Sequence, residues 1–165
     1  MGYTHYFTRD ERNVGSRFMF TQLSEDAKRI IQQAQTEGIE VCGWNGKGKP
    51  EFTEDYFSLN GTEVGGYDHE TFRWEATPTQ PEWHKEYFGG ENERHDIPEF
   101  CKTAYKPYDA VVTAILIRAK VIYGQLIRIG SDGSWDEWET GRDLYELTFG
   151  EEAPNPFTQP PIVAV

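Results

Sequence analysis

The first residues of the chain alternate between aromatic and polar side chains at a period of two. This alternation runs from Gly2 to Thr8 and is typical of a β-strand, in which successive side chains point to opposite faces. Its two phases are Tyr3, His5 and Phe7, and Thr4, Tyr6 and Thr8. We therefore expect a first strand that buries one of these sets.

Three later segments have the apolar spacing of α-helices. The first, about 24–37, begins at Ser24, an expected N-cap, and carries an apolar stripe along one side. The second, about 107–123, is apolar on nearly every face, and Pro107 suits its first turn, so we expect it at the centre of the core. The third, about 136–149, ends before a glycine.

The remaining patterned segments are short and indicate strands. Glu40–Trp44, Tyr56–Asn60 and Glu70–Trp74 predict a meander, and Gln125–Gly130 predicts a further strand. Residues 76–98 contain three prolines and a Gly-Gly pair without sustained periodicity. We expect a long loop or lid there.

Together these elements predict an α+β fold in a single domain, residues 1–150. The domain would hold a mostly antiparallel sheet of about five or six strands, a buried central helix and two flanking helices. Residues 151–165 contain four prolines and are expected to form an extended C-terminal tail.

The length of 165 residues and the cysteine content agree with one domain in a reducing compartment. Only Cys42 and Cys101 are present, which does not support a disulfide framework, and no basic-then-apolar leader is visible at the N-terminus. The longest apolar stretch, Ala110–Tyr123, is shorter than the ~20 residues that a membrane-spanning helix needs. We expect a cytoplasmic protein without a membrane segment.

The net charge of −12 argues against general nucleic-acid binding, because phosphate backbones are held by clustered Lys and Arg. The charge is uneven, however. Between Phe100 and Gly130 five basic residues and one acid give +4, which leaves −16 for the remainder. This contrast favours a small anionic ligand, although a mostly buried segment with a few charges at its ends is an equally simple explanation.

The segment before the central helix suits an anion. Phe100–Asp109 supplies two lysines, a hydroxyl and two tyrosines ahead of a helix start, whose free N–H groups bind anions. Simple capping and solvated lysines are the structural alternative. The predicted ligand-binding residues are Lys102, Thr103, Lys106 and Arg73 on phosphate, Tyr3, Tyr6 or Tyr108 stacking a base, and His5, which is ambiguous between core and site.

Catalytic and metal chemistry have weaker support. The four histidines, at 5, 69, 84 and 95, lack a metal-ligand spacing, so we expect no metal and no cofactor. Cys101 or Ser131 could serve as a nucleophile, with His5 or His69 as base and Asp109 or Asp132 as its orienting acid. No nucleophile motif frames them, and we assign no catalytic residue.

Several short motifs resemble a group of small tailed-bacteriophage and prophage proteins. They are Met1-Gly-Tyr-Thr-His-Tyr6, Phe100-Cys-Lys-Thr-Ala104, Lys106-Pro-Tyr-Asp109, and Ser131-Asp-Gly133 followed by Trp138. The resemblance implies a protein in the cytoplasm of an infected bacterium. By analogy with phage anti-defence (anti-CBASS type) sponges, it also implies a homo-oligomer that sequesters a cyclic-nucleotide immune signal.

The leading hypothesis is therefore a phage-encoded protein that sequesters an anionic nucleotide without hydrolysing it. The alternative is an acidic inhibitor or DNA mimic, in which carboxylates of Ala76–Glu99 and Trp135–Glu152 engage a basic host defence protein. A hydrolase of nucleotide signals is the third hypothesis.

Overall fold

The computed structural model describes residues 2–88 and 94–157, which form an α+β fold. The strands are β1 (Thr4–Asp10), β2 (Glu51–Phe52), β3 (Tyr56–Leu59), β4 (Phe72–Glu75), β5 (Asp96–Lys102) and β6 (Ile127–Ser131). The helices are α1 (Arg17–Thr36), α2 (Glu82–Phe88), α3 (Asp109–Tyr123) and α4 (Glu139–Phe149). The predicted α+β class is confirmed.

The six strands form two antiparallel sheets of three, with the orders β5-β1-β6 and β2-β3-β4, rather than the single larger sheet that we expected. The sheets meet through side chains. Phe7 on β1 stacks on Trp74 of β4 with ring centroids 5.4 Å apart, and it also contacts Phe72. Because the inward side chains of β4 pack against the face of β1, the two sheets do not join edge to edge.

Helix α3 is the centre of the core, as its apolar sequence predicts, and it packs against α1, α4 and β6. A glycine allows α4 to approach it closely. A Cβ placed on Gly141 would lie 1.9 Å from the Thr113 hydroxyl oxygen, so a larger residue at this position cannot fit without moving a helix.

The first helix begins earlier than predicted. Ser16 is its N-cap, and the Ser16 hydroxyl accepts the Met19 N–H at 3.1 Å, whereas Ser24 lies inside the helix and is buried. The reason is that Phe20 and Leu23 continue the apolar stripe for two further turns, and burying them stabilises those turns.

Two other expectations need correction. Glu40–Trp44 is not a strand: Cys42 forms an isolated bridge with Asn60, and a 3₁₀ turn follows at Trp44–Gly46. The expected loop at 76–98 contains α2 and the start of β5, while its residues 89–93 lie outside the described part.

The described part of the C-terminal tail, residues 151–157, has no helix or strand and packs against the domain. Phe157 contacts Trp138 with ring centroids 4.9 Å apart, and Ala153 is buried, whereas residues 158–165 lie outside the described part. Within the described residues, no helix combines the length and the apolar character that crossing a bilayer requires.

Candidate functional site

Pairing in the β5-β1-β6 sheet places alternate residues on two faces. The inner face, which packs against β4 and α3, carries His5, Phe7, Arg9, Ile97, Glu99, Cys101, Ile127, Ile129 and Ser131. The outer face carries Thr4, Tyr6, Thr8, Pro98, Phe100, Lys102, Arg128 and Gly130. Each face holds a distinct set of polar groups.

A buried chain of hydrogen bonds occupies the inner face. His5 Nε2 lies 2.6 Å from Asp109 Oδ1, and His5 Nδ1 lies 2.8 Å from Ser131 Oγ. The Thr103 hydroxyl donates to the same Asp109 oxygen at 2.5 Å. The His5 side chain is fully buried, and the carboxylate of Asp109 lies in the first turn of α3, where the helix dipole favours negative charge.

Ser131, His5 and Asp109 have the residue types of a catalytic triad, but the serine is already fully bonded. Its hydroxyl oxygen accepts the Gly133 N–H at 2.9 Å and the Trp138 Nε1–H at 3.2 Å. Because a hydroxyl has two acceptor lone pairs, its own proton is directed to His5 Nδ1, and His5 Nε2 then donates to Asp109. No lone pair remains for attack on a substrate, so this arrangement stabilises the fold.

Tyr3 extends this cluster and is covered by Tyr105. The two rings stack with centroids 3.8 Å apart, and Ala104 and Tyr105 adopt left-handed backbone angles of φ 51° and 61°. The Tyr3 hydroxyl makes no hydrogen bond with any described residue. Burial, followed by the charge of Asp109, raises the pKa of Tyr3 above its usual range, so the hydroxyl stays neutral.

The outer face presents two aromatic rings to solvent. Tyr6 and Phe100 are direct cross-strand partners on β1 and β5, and they are 43% and 59% exposed. On the other side of Tyr6, β6 contributes Gly130. A Cβ on Gly130 would lie 3.8 Å from the Cβ and 3.9 Å from the Cδ2 of Tyr6, so a larger side chain at this position would lie beside the Tyr6 ring.

Asp132 holds Tyr6 in place. The Tyr6 hydroxyl donates to Asp132 Oδ1 at 3.2 Å, and the Thr4 N–H donates to Asp132 Oδ2 at 3.1 Å. Loss of hydration, and then the bond to Asp132, raises the pKa of Tyr6. The exposed ring is therefore oriented before any ligand arrives.

Two cations flank the aromatic pair. Lys102 lies opposite Thr4, and Arg128 lies opposite Thr8. Within the described residues neither side chain forms an ion pair or a side-chain hydrogen bond. By contrast, Arg118 and Lys120 of the same basic segment are engaged, with Asp26 at 2.7 Å and with the Ile127 carbonyl at 2.8 Å.

The eight predicted ligand-binding residues fall into different environments. Tyr6 and Lys102 lie on the outer face. Tyr3, His5, Thr103 and Tyr108 are buried, which leaves none of them accessible to a base or a phosphate. Lys106 lines a separate depression beside Asp109, and Arg73 stacks over Tyr56 and pairs with Glu75 on the other sheet.

Phe100 and Arg128 were not among the ligand-binding residues predicted from the sequence. One signal could have identified Phe100: apolar Ile97 and Cys101, which are buried, lie on the opposite phase of a strand from Phe100 and Lys102, which are exposed and half-buried. Pro98 obscured it, since proline is rare inside sheets and is tolerated on edge strands such as β5.

No group of three or more metal-ligating side chains occurs among residues 2–88 and 94–157. Comparisons of the chain with protein-family models, with curated proteins and with solved structures found no match. The geometry of the two faces is therefore the basis for assigning a function.

Proposed function

We propose that this protein binds an anionic nucleotide on the outer face of the β5-β1-β6 sheet and sequesters it without hydrolysis. One observation carries the proposal: an open sheet face on which Tyr6 and Phe100 are exposed between two cations that pair with nothing in the described chain. Tyr6 and Lys102 belong to the predicted set, and Phe100 and Arg128 join them.

The aromatic pair suits base stacking. Direct cross-strand partners have Cβ atoms about 5 Å apart, so the two exposed rings occupy neighbouring positions on the same face. Any base can stack on such rings, and each base stacked on an aromatic ring contributes about 1–3 kcal/mol. The hydrogen bond to Asp132 limits the freedom of Tyr6, which lowers the entropic cost of binding.

The cation spacing favours a ligand with more than one phosphate. Thr4 and Thr8, the partners of Lys102 and Arg128, lie four residues apart on β1, or about 13 Å at ~3.3 Å per residue. A ligand with phosphates on both sides of a stacked base spans such a distance. Linear and cyclic oligonucleotides have this form. A longer nucleic acid would be repelled by the protein's net charge of −12.

The chemistry of the outer face favours sequestration over hydrolysis. The face has threonine hydroxyls and cations but no carboxylate–histidine or serine–histidine pair among its described residues. The Ser131–His5–Asp109 chain projects from the opposite face of the sheet, so a ligand on Tyr6 cannot reach it. The resemblance to phage proteins extends this proposal to a nucleotide signal of bacterial immunity.

The test is to measure binding by isothermal titration calorimetry. The purified protein is titrated with cyclic dinucleotides, cyclic trinucleotides, linear dinucleotides and nucleoside triphosphates. Phe100→Ala should weaken binding of the best ligand roughly tenfold or more, because one stacking surface is lost. Gly130→Val should block binding while the fold remains intact, because valine suits a strand and fills the space beside Tyr6.

Phe18→Ala is the matched control, since Phe18 is 77% exposed and lies on α1, outside the sheet. Chromatography of the ligand recovered after heating should show an intact nucleotide, and a cleaved product would favour the hydrolase hypothesis. Unchanged affinity in both Phe100→Ala and Gly130→Val would show that the outer face is not the site. No binding by the wild-type protein would overturn the proposal.

A further inference from the structure

A groove lies along α4, on the helical side of the molecule, and has an apolar floor. It consists of two depressions of about 190 and 340 Å³, which share Ile39, Ala110 and Thr140. Leu144 and Leu147 of α4 complete the floor, and Leu147 is 56% exposed. We call this feature the α4 groove.

The rim of the α4 groove is acidic. Glu37 and Asp143 border the smaller depression and Glu137 borders the larger one, while Lys106 is the one cation in either lining. Further exposed acids are Asp136, in the 3₁₀ turn that precedes α4, and Glu139 and Glu146 on α4. Within the described residues none of Asp136, Glu139, Asp143 and Glu146 forms an ion pair.

Helix stability explains only part of this charge. Acids in the first turn, such as Glu139, offset the positive end of the helix dipole. Glu146 lies in the last turn, where a negative charge is unfavourable, and like charges four residues apart repel. An apolar floor beneath unpaired carboxylates is complementary to a segment with the opposite charge and its own apolar side chain.

We infer that the α4 groove docks a basic segment of another protein, with a large apolar side chain of that segment on Leu144 and Leu147 and its Lys or Arg residues at the acidic rim. This surface shares no lining residue with the proposed nucleotide site. It gives a defined location to part of the acidic stretch 135–152, for which the sequence suggests a basic partner.

The probe is a fluorescein-labelled peptide in which Lys and Leu recur at helical spacing, measured by anisotropy against the whole protein. Peptides of equal length made of Lys alone and of Glu and Leu serve as comparisons. The Lys–Leu peptide should bind most tightly, and its affinity should fall about tenfold as salt rises from low to roughly 0.3 M, because rim charges are screened.

Asp143→Lys should weaken binding of the Lys–Leu peptide at least tenfold. Leu147→Ser should also weaken binding of the Lys–Leu peptide, but it should leave binding of the Lys-only peptide unchanged. Glu54→Lys changes the net charge equally at an exposed site outside the groove and is the matched control. An equal loss of peptide affinity in Glu54→Lys and Asp143→Lys would show a general charge effect and overturn the inference. Wild-type affinity of the Leu147→Ser variant for the Lys–Leu peptide would also overturn the inference. Nucleotide binding should be unaffected in every groove variant.

Discussion

The two faces of the β5-β1-β6 sheet differ in how far their polar side chains are satisfied within the chain. On the inner face His5, Ser131 and Asp109 bond to one another, and the remaining capacity of Ser131 is filled by Gly133 and Trp138. On the outer face the two cations have no described partner. A familiar set of catalytic residue types is thus structural, whereas two exposed rings between free cations remain available to a ligand.

The largest effect should come from the inner face. Asp109→Ala removes the acceptor of His5 Nε2 and of the Thr103 hydroxyl. Both groups are then buried without that partner. We expect the free energy of unfolding to fall by about 3 kcal/mol or more, measured by urea denaturation. A loss no larger than that of Phe100→Ala would remove the distinction between the two faces.

The second effect concerns pH and Glu99, also on the inner face. Burial, which outweighs the attraction of Arg9, raises the pKa of Glu99 from 4.5 to about 7. The folded protein therefore holds this proton more tightly than the unfolded chain does. The stabilising contribution is complete below about pH 4.5 and is lost as the pH rises to 7, by about 3 kcal/mol at most.

Glu99→Gln tests this effect, because it removes the titrating group and keeps a hydrogen-bond acceptor for Arg9. The difference in unfolding free energy between wild type and variant should change steadily between pH 4.5 and 7. A constant difference across that range would show that Glu99 titrates normally.

A smaller effect is expected at Ser131. Ser131→Ala leaves the Gly133 N–H and the Trp138 Nε1–H without their acceptor, at a cost of about 1–3 kcal/mol in stability. Nucleotide affinity and the integrity of the bound ligand should both match wild type. If the variant instead abolished turnover of a nucleotide that the wild type cleaves, Ser131 would be a nucleophile and the comparison would fail.

The smallest effect on stability should come from Arg128 on the outer face. Arg128→Ala breaks no described ion pair or hydrogen bond, so the free energy of unfolding should change by less than about 0.5 kcal/mol. Nucleotide binding should weaken, and the slope of log affinity against log salt should fall by about one if Arg128 contacts a phosphate. An unchanged slope would remove Arg128 from the site.

Local patterns predicted much of the fold. The alternation at the N-terminus gave β1 and placed His5 and Tyr6 on opposite faces, and the apolar run before Gly124 gave α3. The start of α1 and the strand β5 were missed. The first required two extra turns that tertiary burial of Phe20 stabilises, and the second contains a proline in an edge strand.

The candidate site was only partly predictable. Tyr6 and Lys102 were identified because aromatic and basic residues are recognisable by type. Tyr3, Thr103 and Tyr108 have equally suitable side chains, yet each is buried. The sequence pattern alone does not separate these groups, because exposure depends on which elements cover a residue.

The sequence by itself determined the α+β class, the apolar central helix, the two phases of β1 and the uneven charge, because each follows from residue types and short-range spacing. Only the tertiary structure decided that β1 lies between β5 and β6, which brings Tyr6 beside Phe100 and Gly130. The physical reason is that strand pairing is made by backbone hydrogen bonds, which are common to all residues, and its register is fixed by packing between segments far apart in the chain.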